Sequence, residues 1–510
     1  MLAALSWKAF ELDRYFIAKE LVLNAAAFPL AILLLLPRRT NFRVDIADAL
    51  LIVFIVWSAL SALLATNYWL AQRALGVSLA SALIFWSARR AASGGMSRLL
   101  LAGAALAGVA VAVTSLAQAY GAESDYFTLA RAPGGTLGNR NFIAHIAAIA
   151  LPATLWGTMT ARRSIWALAG SVGVGLLAAV LVLSRSRAAW LAVAACTVVI
   201  AIPLVVSRRH WNRRVGGRLA RILLAAVIGG FLAVALPNDL DWKSDSPYLD
   251  SARNMVDYSK GSGRGRMAQY RNSLRMLQAD PVLGVGPGNW PVRYVRFAPA
   301  GDRSLADNGM TANPWPSSDW MAFVSERGFV AAVALLGVFV TLFVGALRGW
   351  RDLPDGEAVL MKVSLAGTVV STIVVSSLDA VLLLPASAFL VWLLLGAMAG
   401  ERRRGMGVMI SRRTWSVLAA GVVLLSGISL TRSVLQTMAM SSVGAGGHRA
   451  GWVAGATLDP GSYRINQRVA ELYANRGQCS RARPYARRAL SLFPYSAPAK
   501  RVARRCGIPS

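Results

Sequence analysis

Residues 165–206 read IWALAGSVGVGLLAAVLVLSRSRAAWLAVAACTVVIAIPLVV, an apolar run about twice the roughly 20 residues that one membrane-crossing helix needs. Only Arg185 and Arg187 carry charge within it. Two spans joined by a short basic turn account for the pattern, because a charge is costly at the bilayer centre and cheap where a turn meets water. Comparable runs start near residues 20, 47, 71, 98, 141, 188, 219, 320, 358, 380 and 415. The expected fold is therefore all-α, a polytopic membrane bundle of about twelve spans. Composition agrees: 56% of residues are hydrophobic and 15% charged, where soluble domains carry about 25% charged residues. The stretch Leu21 to Pro37 is read as a retained span, since no small-residue cleavage site follows it.

Lys and Arg number 54 against 24 Asp and Glu, a formal charge of +30. In a soluble chain such an excess would point to nucleic acid, but no nucleic-acid motif is present and none is expected as partner. The arginines cluster in alternate loops, at 38–43, 89–98, 162–163, 208–221, 348–351 and 402–413, which the positive-inside bias assigns to the cytoplasm. The intervening segments then face outward: the one around Asn139, the Ser184 to Arg187 turn, a polar loop over residues 237–320, and everything after residue 437. An outward turn bearing two arginines runs against that bias, which favours a functional role for Arg185 and Arg187.

Hydrophobicity falls after Met440, dividing the chain into a membrane domain (1–440) and a tail (441–510). Pro460 and Pro494 are 34 residues apart, the tetratricopeptide period, and Ala470, Tyr473, Gly477, Ala482 and Ala489 fall at small, aromatic and turn positions between them. A generic helical hairpin reads equally well. One repeat plus halves is less than the three or so that stand alone, so the tail is expected to lean on the membrane domain or on a protein partner. Of the 3 cysteines, Cys196 lies in a span, whereas Cys479 and Cys506 fall where two antiparallel helices would bring them together. A disulfide is expected there, given the outward placement.

The residues able to do chemistry concentrate in the outward segments. Arg264 and Arg266 sit among Gly261, Gly263 and Gly265, and converging guanidinium groups bind a diphosphate bidentately without losing charge; a lone Gly and Arg run is more often a solvated loop. Ser317, Ser318, Asp319 and Trp320 open the next span. Asp319 there is a candidate general base toward a sugar hydroxyl, with a helix cap as the competing reading. Gly284, Gly286 and Gly288 lack the Lys and Ser or Thr of a nucleotide loop. Asp239, Asp241 and Asp245 read as a solvated loop, and His145, His210 and His448 are too scattered for a zinc site. No metal or cofactor is expected.

In order, these segments resemble the O-antigen ligase and polymerase family of bacterial envelope enzymes. The matching pieces are Leu137 to Phe142, Ser186 to Ala188, Gly265 and Arg266 with Tyr270, Asp280 to Asn289, and Asp319 to Gly328, and the Pro281 to Asn289 block is the most specific. The resemblance implies a GT-C-like helical fold in the inner membrane. It also implies metal-independent, inverting transfer of a glycan from an undecaprenyl diphosphate donor to an acceptor hydroxyl at the outer face, as in lipopolysaccharide biosynthesis. On that reading Arg187 and Arg266 hold the diphosphate, and Arg185, Arg264, Asn139, Arg140 and Asn289 bind substrate; Asp319 or another group takes the base role, the leaving diphosphate activates the acceptor itself, or the chain is an inactive or repurposed member. The family's usual His falls at Ser317 and its usual Asn at Ser318, while Arg140 stands where a Pro is common. Ligases and polymerases share these motifs. A non-catalytic envelope scaffold or lipid-glycan carrier, recruiting partners through the tail, is the alternative.

Overall fold

The computed structural model describes the chain apart from residues 1–9, 11, 37–40, 207–212, 243, 254–260, 303, 307–309, 349, 351–352, 354, 401–405, 445–448 and 510. His210, His448 and several loop arginines, Arg38, Arg39, Arg208, Arg209, Arg351 and Arg402 to Arg404, lie outside the described residues. The helices are α1 (Ile17–Ile32), α2 (Ile46–Ala62), α3 (Tyr68–Ala91), α4 (Ser97–Ala119), α5 (Arg140–Met159), α6 (Ser164–Ser184), α7 (Arg187–Val206), α8 (Arg213–Ala235), α9 (Pro247–Arg253), α10 (Gly261–Ala279), α11 (Trp290–Arg293), α12 (Asp319–Leu347), α13 (Gly356–Leu378), α14 (Pro385–Ala399) and α15 (Arg412–Gly444). Four short tail helices follow: α16 (Arg449–Leu458), α17 (Tyr463–Ala474), α18 (Cys479–Leu492) and α19 (Ala497–Arg505).

The fold is a helical membrane bundle. Among the described residues nine apolar segments are long enough to cross a bilayer. One of them, Tyr68–Ala119, is α3 and α4 joined at a kink where Gly95 takes φ 89°. The shorter apolar helices α2 and α14 complete the set. The run at 165–206 divides where expected, with Arg185 at φ 53° between α6 and α7. Helix starts follow capping chemistry: Asp45 and Asp48 form a capping box on α2, and Arg89 binds both carboxylates at 2.7 and 2.9 Å. The most enclosed span, α5, packs against α4, α6, α7 and α13. Small residues permit close crossings, as where Gly229 of α8 lies against the Gly175 carbonyl of α6.

A two-stranded antiparallel ribbon, β1 (Asn41–Val44) with β2 (Met406–Met409), is the exception to the all-helical plan and places Phe42 opposite Val408. Described arginines of the short loops lie at this end of the bundle, Arg89 donating to the Gly400 carbonyl beside the ribbon. Arg98 reaches Thr160 and Glu357, and Arg218 donates to the carbonyls of Met159 and Ala161.

The Pro281–Asn289 block docks on a break in α12. Gly328 adopts φ 75°, and a side chain there would meet the Val282 carbonyl at 2.0 Å. The N–H groups of Val285 and Gly286 donate to the carbonyls of Ser325 and Glu326, and that of Phe329 to Pro281. Glu326 completes the joint by accepting from the N–H of Gly288 at 2.8 Å and of Trp290 at 3.1 Å.

The tail leans on the bundle. Trp452, Ala456, Ile465 and Val469 share an apolar cluster with Ile17, Ala18, Ala439 and Met440. Cys479 and Cys506 form a disulfide, with Cα atoms 5.1 Å apart, that ties α18 to the end of α19.

Candidate functional site

At the end of the bundle opposite the ribbon, α1, α3, the α4–α5 loop, the α6–α7 turn, α10, the loop before α12 and the tail enclose a cleft of about 1480 Å³. Small-molecule sites are typically about 300–1,000 Å³. The space suits an oligosaccharide with an attached diphosphate better than a single metabolite.

Of the residues singled out from the sequence, Asn139, Arg140, Arg185, Arg187 and Arg266 line this cleft. Asn139 is placed by its task as N-cap of α5, accepting from the Asn141 N–H at 3.0 Å. Arg185 owes its direction to the tight α6–α7 turn and is held by a 2.9 Å bond from Nε to Ser251 Oγ. Trp242 lies under two guanidinium groups, 4.6 Å from Arg185 and 5.0 Å from Arg140, an arrangement worth roughly 0.5–1 kcal/mol per pair. Burial pulls Arg185 below its ordinary value, opposed by Tyr248 and Asp250, but a guanidinium remains charged at neutral pH. Arg266 comes from α10, so the Gly and Arg run is the first part of a helix. Its Nε is buried with no hydrogen-bond partner among the described residues. Arg140, Arg185 and Arg266 form no ion pair with a carboxylate among the described residues. Several unneutralised cations facing one water-filled space make an anion site.

Three expected residues stand elsewhere. Arg264 is exposed and outside the cleft. Asn289 is fully buried and does structural work: its Oδ1 accepts from the Asn67 N–H at 2.7 Å and its Nδ2 donates to the Asn67 and Pro287 carbonyls. Asp319 is also fully buried, accepting from the N–H groups of Val381, Leu382 and Leu383 at 2.8, 2.8 and 3.2 Å. A carboxylate holding three N–H groups and lying off the cleft is placed to anchor the α13–α14 loop. Ser318 is the cap of α12, accepting from the Met321 N–H, while Ser317 does line the cleft. Tyr270 fixes that region by donating to the carbonyls of Ser317 and Ser377.

Two carboxylates line the cleft near the arginines, Asp250 of α9, which acts on Arg185, and Asp379 at the C-terminal end of α13; Asp379 is the one that faces the α5 side. Its Oδ2 accepts from Asn141 Nδ2 at 3.3 Å and its Oδ1 from the Ala380 N–H at 2.9 Å, which leaves lone pairs open. Beneath it His145 of α5 is buried, with Nδ1 unpartnered among the described residues and Nε2 3.5 Å from Ser186 Oγ. Asp379 and Arg266 both act on its ring electrostatically. Asp379 had no sequence signal beyond a charge at the edge of an apolar run. Among the described residues no three His, Cys, Asp or Glu are grouped to hold a metal ion.

Residues 172–336 match the O-antigen ligase family. The resemblance read from the sequence therefore stands over this segment, which runs from within α6 to within α12 and contains Arg185, Arg187, Arg266 and the whole Pro281–Asn289 block. Asn139, Arg140 and Asp379 lie outside it. No curated protein matches the chain.

Proposed function

We propose that this chain, of O-antigen ligase type over residues 172–336, transfers a glycan from a polyprenyl diphosphate to an acceptor hydroxyl at the outer face of the inner membrane. The observation that carries the proposal is the convergence of Arg140, Arg185, Arg187 and Arg266 on one cleft together with Asp379. The acceptor hydroxyl gives its proton to the Asp379 carboxylate while its oxygen attacks the anomeric carbon. The bond from that carbon to the diphosphate oxygen breaks on the opposite side, so configuration inverts, and the leaving diphosphate takes the electron pair. Charge grows on the leaving group only as the bond breaks, so guanidinium groups held ready there stabilise the transition state more than the ground state. Arg187 and Arg266 are assigned to the diphosphate, Arg140 and Arg185 to its flank, and Asn139 and Asn141 to orienting the acceptor side. The positive-inside distribution supports the outward placement of the cleft.

The test is transfer by the purified protein from a polyprenyl-diphosphate oligosaccharide. Removing one charge-stabilising donor typically costs about 10²–10³ in kcat, so Arg266→Ala is expected to fall by that much. Full activity in both Arg187→Ala and Arg266→Ala would overturn the proposal.

A further inference from the structure

The cleft has a second end, built between the bundle and the tail, which the reaction above leaves unused. Asp459, just after α16, pairs with Arg432 of α15 at 2.8 Å, with both side chains nearly excluded from solvent. Arg432 lies 4.0 Å over the ring of Trp69, and Gly461 sits so close that a Cβ would be 2.5 Å from that ring. Glu20 and Arg73 form a second ion pair at 2.5 Å. These two cations are already neutralised, and Arg464 beside Tyr463 lines the cleft with no ion pair among the described residues, donating to the Leu12 carbonyl, so this end carries less unmatched positive charge than the arginine end.

What it does offer is aromatic surface and neutral polar groups. Tyr463 and Phe493 of the tail line the cleft with their rings 4.9 Å apart. Gln436 of α15 also lines it, is only 5% exposed, and makes no hydrogen bond among the described residues. Its amide atoms are not among the buried polar atoms that lack a partner, so they open onto the cleft, where an amide can both donate to and accept from a ligand's hydroxyls. Ring faces that take C–H surface, beside amide and ion-paired groups that take hydroxyls, form the chemistry of an oligosaccharide subsite.

We propose that this end holds the oligosaccharide acceptor and that the tail is a wall of the active site, with Tyr463 and Phe493 stacking on the sugar and Gln436 bonding its hydroxyls. The inference rests on the transfer reading above, since the same continuous cleft leads from this end to Asp379.

The test uses the full chain in lipid nanodiscs and ligand-observed NMR, which needs no turnover. The probes are a lipid-free oligosaccharide released by mild acid from the donor, the core oligosaccharide of lipopolysaccharide, and geranyl diphosphate for the arginine end. Phe493→Ala and Gln436→Leu are expected to weaken binding of at least one oligosaccharide about tenfold and to leave geranyl diphosphate unchanged, with Arg266→Ala giving the reverse. No oligosaccharide binding by wild type, equal binding by both tail-end variants, or parallel loss of all probes in Phe493→Ala would each overturn the proposal. Selective oligosaccharide binding without any transfer would instead refute the transfer reading and leave the subsite standing.

Discussion

Replacing Asp319 by asparagine separates an anchor from a base. The carboxylate accepts three buried N–H groups from the α13–α14 loop. An asparagine carbonyl accepts at most two of them, and its own NH₂ then faces the third. Hydrogen bonds to a charged group contribute about 1.5–3 kcal/mol, and an unmet buried donor costs about 1–3 kcal/mol, so the variant should lose roughly 2–4 kcal/mol. That is a large part of the roughly 5–15 kcal/mol that holds a typical domain together. Detergent-solubilised Asp319→Asn should therefore unfold several degrees below wild type, yet transfer by the molecules that remain folded should stay within about threefold of it. Asp379→Asn should do the opposite, keeping its unfolding midpoint and losing about 10²–10⁴ in rate, the usual scale for a general base. If Asp319→Asn melts like wild type and loses transfer to the extent that Asp379→Asn does, the anchoring argument fails and the base is Asp319.

Gly328→Ala should abolish a monodisperse peak in size-exclusion chromatography, because both its positive φ and the Val282 carbonyl leave no room for a Cβ. Trp242→Ala removes two cation–π contacts, each worth roughly 0.5–1 kcal/mol, and is expected to raise the donor KM severalfold with kcat nearly unchanged. Cys479→Ser should loosen the tail by about 2–4 kcal/mol and speed its proteolysis while the bundle resists. In that variant Cys506, buried in the folded tail and freed as it loosens, should react with a membrane-impermeant maleimide from outside intact spheroplasts, and labelling only after the membrane is permeabilised would reverse the assigned orientation.

Spans and turns were legible because bilayer chemistry writes them locally: runs of about 20 apolar residues, arginines between them, and a pair of charges at Arg185 and Arg187 that no single span tolerates. The Pro281–Asn289 block stood out by its glycines, although its role as a latch on the break in α12 appears only with Glu326 in place. The carboxylates were not legible. Asp319 at a helix start reads equally as cap, anchor or base, and only its three distant N–H partners decide. Asp379 looks like a span boundary until Asn141, 238 positions earlier, is found against it. Arg264 and Arg266 carry a plainer lesson: two residues apart on a helix is about 200° of rotation, so had 261–279 been read as helical, the sequence alone would have excluded one of them from the cleft. The ion pairs of Glu20 with Arg73 and of Arg432 with Asp459 left no local pattern at all.

The ribbon between residues 41–44 and 406–409, with α1 packed beside α15, bears on the order in which the protein can be made. Spans emerge into the bilayer one after another, so strand β1 and the α15-facing side of α1 must wait through the synthesis of some 360 intervening residues before their partners exist. Until then α1 has only lipid, α3 and, late in synthesis, α14 beside it, while α2 gains α12 earlier. Closure is thus a late and cooperative event, and a ribosome stalled before α15 would release a chain whose beginning, rather than its end, is the part left unassembled.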